Sequence, residues 1–227
     1  MRLSGENIRI DRRYRGPLDS ANGGYACGCL AAYLDGRAQV TLRLPPPLER
    51  PLAVEHRDGG VVLLDGDAVV AEGVPADVDV EPPARPSWEE AEEASARHIR
   101  MPDVVFRECF SCGVRPDGLN IHVGAVDETG LQAAPWTATE VSPEVVWAAI
   151  DCAGAFAVGG PGRGEVLLGR MAAELRRLPA TGERCVVVSW PLGEDGRKLH
   201  AGTALLTADG ELIARSRQTW VAPRTET

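Results

Sequence analysis

The chain has 227 residues and is 44% hydrophobic, 25% charged and 5% aromatic, with a mass of 24.2 kDa. This is the composition of a globular protein with room for one large domain or two of about 100 residues. Acidic residues (33) outnumber basic ones (24), for a net charge of −9, which argues against a broad nucleic-acid-binding surface. No apolar run approaches the ~20 residues that span a bilayer, and the first twenty residues lack an apolar stretch of signal-peptide length. A cytoplasmic protein without membrane attachment is therefore expected.

Taken in chain order, Asn7-Ile8-Arg9-Ile10 is a short alternating strand, followed by a small-residue helix over NGGYACGCLAAYL (22–34). TLRLP (41–45) and VVLLDGDAVVAEG (61–73) come next, the latter with Asp65-Gly66 between apolar strands, a hairpin signal. Residues 75–103 are rich in proline and acid and read as a linker, which we bound at 79–104. Inside it, Ser87 with Glu90 three residues on forms a capping-box pattern and predicts a surface helix over 87–98. A second apolar helix is expected over SPEVVWAAIDCAGAFAV (142–158). EVLLGRMAAELRRL (165–178) is helical by propensity, yet its place in the order of elements makes it a strand. RCVVVSWPL (184–192) is a β-branched strand, and Asp209-Gly210 in ALLTADGELIARS (204–216) marks another hairpin.

These segments form an internal echo. Asn7–Ile10 resembles Asn120-Ile121-His122-Val123, and each is followed by a small-residue helix. A leucine segment ending in proline comes next (41–45 and 175–179), then an Asp-Gly hairpin (61–73 and 204–216). The order strand–helix–strand–strand–strand occurs twice, with insertions in the second copy at GGPGRGE (159–165) and PLGEDGRKL (191–199). Both helices are apolar on most faces, as buried helices are. A sheet curled around one such helix, made twice, gives an α+β chain with copies at 1–78 and 105–227.

In SANGGYACGCL (20–30), CFSCGVRPDGLNI (109–121), WAAIDCAG (147–154) and HAGTALLTADGELIARSRQTW (200–220), the chain resembles the hot-dog thioesterase-like superfamily. Within it, the likeness is to the tandem, double hot-dog members of acyl-CoA thioesterase II type. The resemblance implies a cleft between the copies, a thioester of coenzyme A or a similar carrier as substrate, no cofactor, and a homodimer of double hot dogs. It also implies a catalytic aspartate in the second copy's helix, helped by polar residues such as Thr203 or Gln218.

The residues themselves point to chemistry in two places. Gly23-Gly24 begin the first helix, where free N–H groups and the positive end of the dipole suit an oxyanion. The same glycines also suit close packing against a strand. Asp151 lies in a run with no other charge from Glu144 to Val158, a costly place for a carboxylate unless it is paired or used. It is the candidate general base, with a buried, hydrogen-bonded aspartate as the alternative. Asn22 is placed to cap the helix or to orient water. Tyr25, Trp136, Trp147 and Phe156 are candidate walls of an acyl site, favouring short or branched groups. Arg197 and Lys198 either meet coenzyme A phosphates or form a solvated hairpin, and His200 and Thr203 complete the candidate substrate contacts.

Neither helix carries a histidine and no GxSxG is present, which weighs against a dehydratase and an elbow-type serine hydrolase. Cys109 and Cys112 form one C-x-x-C followed by a turn. No second pair stands at zinc-ribbon spacing, so a buried pair of thiols and no metal is the expectation. A non-catalytic acyl- or lipid-binding module and a purely structural protein remain alternatives to the thioesterase.

Overall fold

Left-handed glycines set two of the Asp-Gly turns of the sheet. Gly66 (φ 61°) closes β4 (Gly60–Asp65) on β5 (Ala68–Pro75), and Gly210 (φ 83°) closes β10 (Lys198–Thr207) on β11 (Leu212–Val221). A residue with a Cβ is strained in that backbone region. Both predicted Asp-Gly hairpins are present. A computed structural model describes residues 6–16, 19–34, 37–99, 106–159 and 166–223.

The strands form one antiparallel sheet. β1 (Asn7–Ile8), β3 (Leu52–Arg57), β4, β5 and β2 (Ala38–Leu42) are followed by β8 (Leu167–Leu175), β11, β10, β9 (Arg184–Asp195), β7 (Gln132–Thr137) and β6 (Gly124–Ala125). β2 and β8 join the copies, with Val40 opposite Met171. Read outward from that seam, the order is β2-β5-β4-β3-β1 on one side and β8-β11-β10-β9-β7 on the other, with β6 added at the edge. This is the duplication expected from the sequence. One equivalence changes: the counterpart of β1 is β7, not Asn120–Val123, which leads into β6. The alternation at 120–123 was matched on its own, whereas position in the sheet depends on pairing with β9.

α1 (Gly23–Ala31) runs antiparallel to α3 (Pro143–Ala149). Gly24 and Gly28, one turn apart, allow the approach. A Cβ on Gly24 would lie 2.5 Å from Asp151 Cβ, and one on Gly28 would lie 2.7 Å from Glu144 Cα. The sheet wraps this pair around a core that includes Leu30, Val40, Leu63, Ile150, Met171 and Leu205. Each such side chain contributes about 1.5–3 kcal/mol on burial.

The second helix is not continuous as predicted. It stops at Ala149, Ile150 and Asp151 break it, and α4 (Cys152–Val158) restarts it. Apolar periodicity runs through such a break unmarked, since both pieces face the same core. α1 is also shorter than 22–34. Within 165–178, Leu167–Leu175 form strand β8 despite their helical propensity, because β8 pairs on both sides, with β2 and β11. The proposed insertion at 159–165 lies, after Gly159, outside the described residues.

The described part of the linker, residues 79–99, is less of a free tether than its composition suggests. α2 (Trp88–Ala96) carries the predicted capping box. Its Ala91 and Ala94, with Val78 and Val80, cluster with Val186, Val188 and Leu206 on the outer face of the second copy. Cys185, Val187 and Leu205, the alternate positions, face the inner core. With both faces covered, β9 reads as an unbroken apolar run.

Candidate functional site

The site forms where the first turn of α1 meets the break before α4. Asn22 caps α1, its Oδ1 accepting from Tyr25 N at 2.8 Å. Its Nδ2 is left to donate to Asp151 Oδ2 at 2.9 Å. Gly24 N donates to the same oxygen at 2.9 Å. Capping and contact with the candidate base are thus two ends of one amide. Asp151 is 2% exposed, and its Oδ1 has no hydrogen-bond partner. Burial raises its carboxyl to about 7, against the opposing bonds from Gly24 N–H and the Asn22 amide. Gly23 also lines the site, and no described hydrogen bond takes up its N–H.

Asp151 opens onto a cavity of about 380 Å³. Asn22, Gly23 and Asp151 form its polar end, with Cys109 and Cys152 beside them. The apolar walls include Leu42, Pro45 and Pro46 after β2, Phe106, Leu168 and Trp220. Arg43 lies on the same wall, its guanidinium bonded to Glu72 at 2.5 and 2.8 Å.

The thiols make a second feature. Cys109 Sγ lies 3.6 Å from Cys152 Sγ, and with Cys112 the three sulfurs lie within 4.8 Å of one another. Asn22 Nδ2 stands 3.7 Å from both Cys109 and Cys152 Sγ. C-x-x-C-G folds into a tight turn closed by Gly113 N to Cys109 O at 2.9 Å. A Cβ on Gly113 would lie 2.4 Å from that oxygen, which is why glycine stands there. Cys109 receives hydrogen bonds from the other two thiols and from the backbone N–H groups of Cys112 and Ser111, which hold it below the ordinary thiol range. Cys112 and Cys152, whose hydrogens serve Cys109, are pushed up. The sequence reading paired Cys109 with Cys112 and set metal aside. Cys152 joins them only through the fold, 40 residues on along the chain.

Other predicted contacts fall elsewhere. Trp136 and Trp147 are buried in the core and are not among the cavity-lining residues. Trp136 lies on β7, and Trp147 packs against Gly28. Tyr25 stacks on Tyr14 with ring centroids 3.9 Å apart, and Phe156 packs edge-on against His98. The walls come instead from the end of β2 and the loop after it, from β8, and from Phe106 and Trp220, none of which was predicted as a wall. Thr203 and Gln218 belong to a buried network. Thr203 Oγ1 meets Ser216 Oγ at 2.7 Å, and Gln218 Nε2 donates to Ile150 O at 2.8 Å. Gln218 therefore braces the break beside Asp151, and no described bond links it to the carboxylate. His200 bonds Thr219. Arg197 stands at the β9–β10 turn and donates to Ala222 O. The neighbouring Lys198 is exposed and pairs in register with Val221, on the cavity rim.

No family model matches the chain, and no curated protein matches it. Solved structures do. A hot-dog fold protein of unknown function from Alicyclobacillus acidocaldarius aligns over 99% of this chain and 96% of its own, with TM-score 0.65 and 10% identity. An acyl-CoA thioesterase II from Mycobacterium marinum aligns over 97% and 93%, with TM-score 0.58 and 13% identity. The dehydratase domain of a mycocerosic acid synthase-like polyketide synthase aligns over 97% and 90%, with TM-score 0.55 and 14% identity. The chain thus has the hot-dog fold, in a tandem α+β arrangement. Its neighbours carry more than one chemistry on that scaffold.

Proposed function

We propose that the chain hydrolyses an acyl thioester, in the first place an acyl-CoA, in the cavity between the copies. One observation carries the reading: a buried carboxylate at a helix break, one oxygen fixed by Asn22 and Gly24 and the other unpartnered, opens onto a largely apolar cavity. The thioesterase II among the structural neighbours supports this choice of reaction.

Asp151 Oδ1 accepts a proton from water as the water oxygen bonds to the thioester carbonyl carbon. The carbonyl becomes an oxyanion beside the free Gly23 N–H at the start of α1. The carbon–sulfur bond then breaks, the leaving thiolate takes the proton from Asp151 and departs as the thiol, and the carboxylic acid is released. Asn22 and Gly24 N–H keep the base in one orientation. About 380 Å³ sits near the lower end of small-ligand sites and suits short, branched or aromatic acyl groups. Among the described residues lining the cavity, Arg43 offers a positive charge for phosphates.

The binding-module alternative has its own support, because Gly24 N–H, an expected oxyanion donor, is occupied by Asp151. Thiol release from a panel of short, branched, aromatic and long acyl-CoAs, with Asp151→Asn alongside, separates the two. Loss of turnover in a folded variant supports hydrolysis. Silence of the wild-type protein across the panel, with acyl ligand still bound, selects the binding module.

A further inference from the structure

We propose that Cys109, Cys112 and Cys152 are the protein ligands of one thiophilic d10 metal ion, zinc in the first place. The three sulfurs come from two distant segments and meet within 4.8 Å of one another. A tetrahedral zinc with Zn–S bonds of about 2.3 Å places its sulfurs roughly 3.8 Å apart, and Cys109 and Cys152 stand at 3.6 Å.

The surroundings are those of a thiolate site rather than of packed hydrophobic thiols. C-x-x-C-G folds back through the bond from Gly113 N to Cys109 O at 2.9 Å, which brings Cys109 and Cys112 together on one turn. The Asn22 amide stands over two of the sulfurs. Donors of this kind steady metal-bound sulfur, and apolar packing gives no reason to gather them. The remaining cysteines differ: Cys27 and Cys185 are buried in the core, and Cys29 packs at its margin.

Three thiolates leave one position of a tetrahedron open. Cys109 and Cys152 line the cavity, so that position is available to water or a small ligand from it. Binding exchanges thiol protons for the metal with no change of oxidation state. The ion would pin the 106–113 segment to the break that carries Asp151, making the cavity floor a cross-linked unit.

The test uses the full chain, reduced, chelator-treated and titrated with cobalt(II). The expected result is a thiolate-to-cobalt charge-transfer band saturating at one equivalent per chain and bleached by zinc. Cys152→Ser should weaken binding more than about tenfold, and Cys29→Ser should leave it unchanged. Zinc should also protect Cys109, Cys112 and Cys152 of the wild-type chain from alkylation, and a chelator should restore labelling. This readout decides the matter if Cys152→Ser does not fold. Absence of the band from folded, reduced protein overturns the proposal, as does equal binding by Cys152→Ser. A Cys109–Cys152 disulfide as the form isolated under reducing conditions also overturns it.

Discussion

The two copies share a strand order but treat their helices differently. In the first, α1 is unbroken, small-sided and free of carboxylates; its glycines let the other copy in, and Asn22 caps it. In the second, the helix stops for two residues, and that break carries Asp151 and is followed by Cys152. The loops after the equivalent strands β2 and β8 differ as well. The first supplies Arg43, Leu44, Pro45 and Pro46 to the cavity wall, while the second is fastened on itself by Arg177 and Glu183. Where α1 begins there is a cavity. At the opposite end of the helix pair, where α3 begins, Ser142 Oγ instead serves Glu144 and Val145 N. Among the described residues the candidate site draws on both copies, one contributing close approach and amide donors and the other Asp151 and the cysteines.

The largest expected effect breaks that division at its chemical end. Asp151→Asn should lower kcat for thioester hydrolysis by about 10²–10⁴, the range for a lost general base, while circular dichroism shows the fold retained. Next comes the close approach. Gly24→Ala places a methyl against Asp151 and the Trp147 carbonyl and should cost about 1–3 kcal/mol, read as a lower midpoint in urea. An unchanged midpoint would mean that the helices part without strain.

Asn22→Ser sharpens the comparison, since serine keeps a cap and gives up the longer reach to Asp151. Stability should move by less than about 1 kcal/mol, while turnover drops roughly tenfold as a bond of about 1.4 kcal/mol to the base is lost. Equal loss in both would assign Asn22 to capping alone. The smallest effect concerns the second loop. Arg177 holds the Glu183 carboxyl below its ordinary value, so the unfolded chain takes up that proton first as pH falls. The stabilisation is present above the ordinary glutamate value of about 4.3 and is lost as pH drops through the folded value. The pair is partly exposed, so Arg177→Ala should cost at most about 1 kcal/mol at neutral pH and nothing once Glu183 is protonated in both states. Denaturation midpoints at neutral and acidic pH check this.

Much of the fold was legible because its signals are local. Asp-Gly turns, the Ser87–Glu90 box and apolar helices are written in neighbouring residues, and their repetition gave the tandem arrangement. Asp151 stood out because a lone carboxylate in an apolar run is costly wherever the run folds. The aromatic walls were misjudged on physical grounds: bulk suits a core as well as a cleft. The break at Ile150–Asp151 was hidden because periodicity reports which face is buried and not whether hydrogen bonding continues.

The sequence by itself determined the hairpins, the caps, the duplication and the identity of the anomalous carboxylate, since each rests on spacing within a few residues. Only the tertiary structure decided that Asn22 caps one helix while holding the base on another, that Leu42, Pro45, Pro46 and Trp220 rather than Trp136 and Trp147 line the cavity, and that Cys152 meets Cys109 and Cys112. Those three facts depend on the register of β2 against β8 and the antiparallel crossing of α1 and α3. No local pattern encodes a distance between segments that meet only when the core closes.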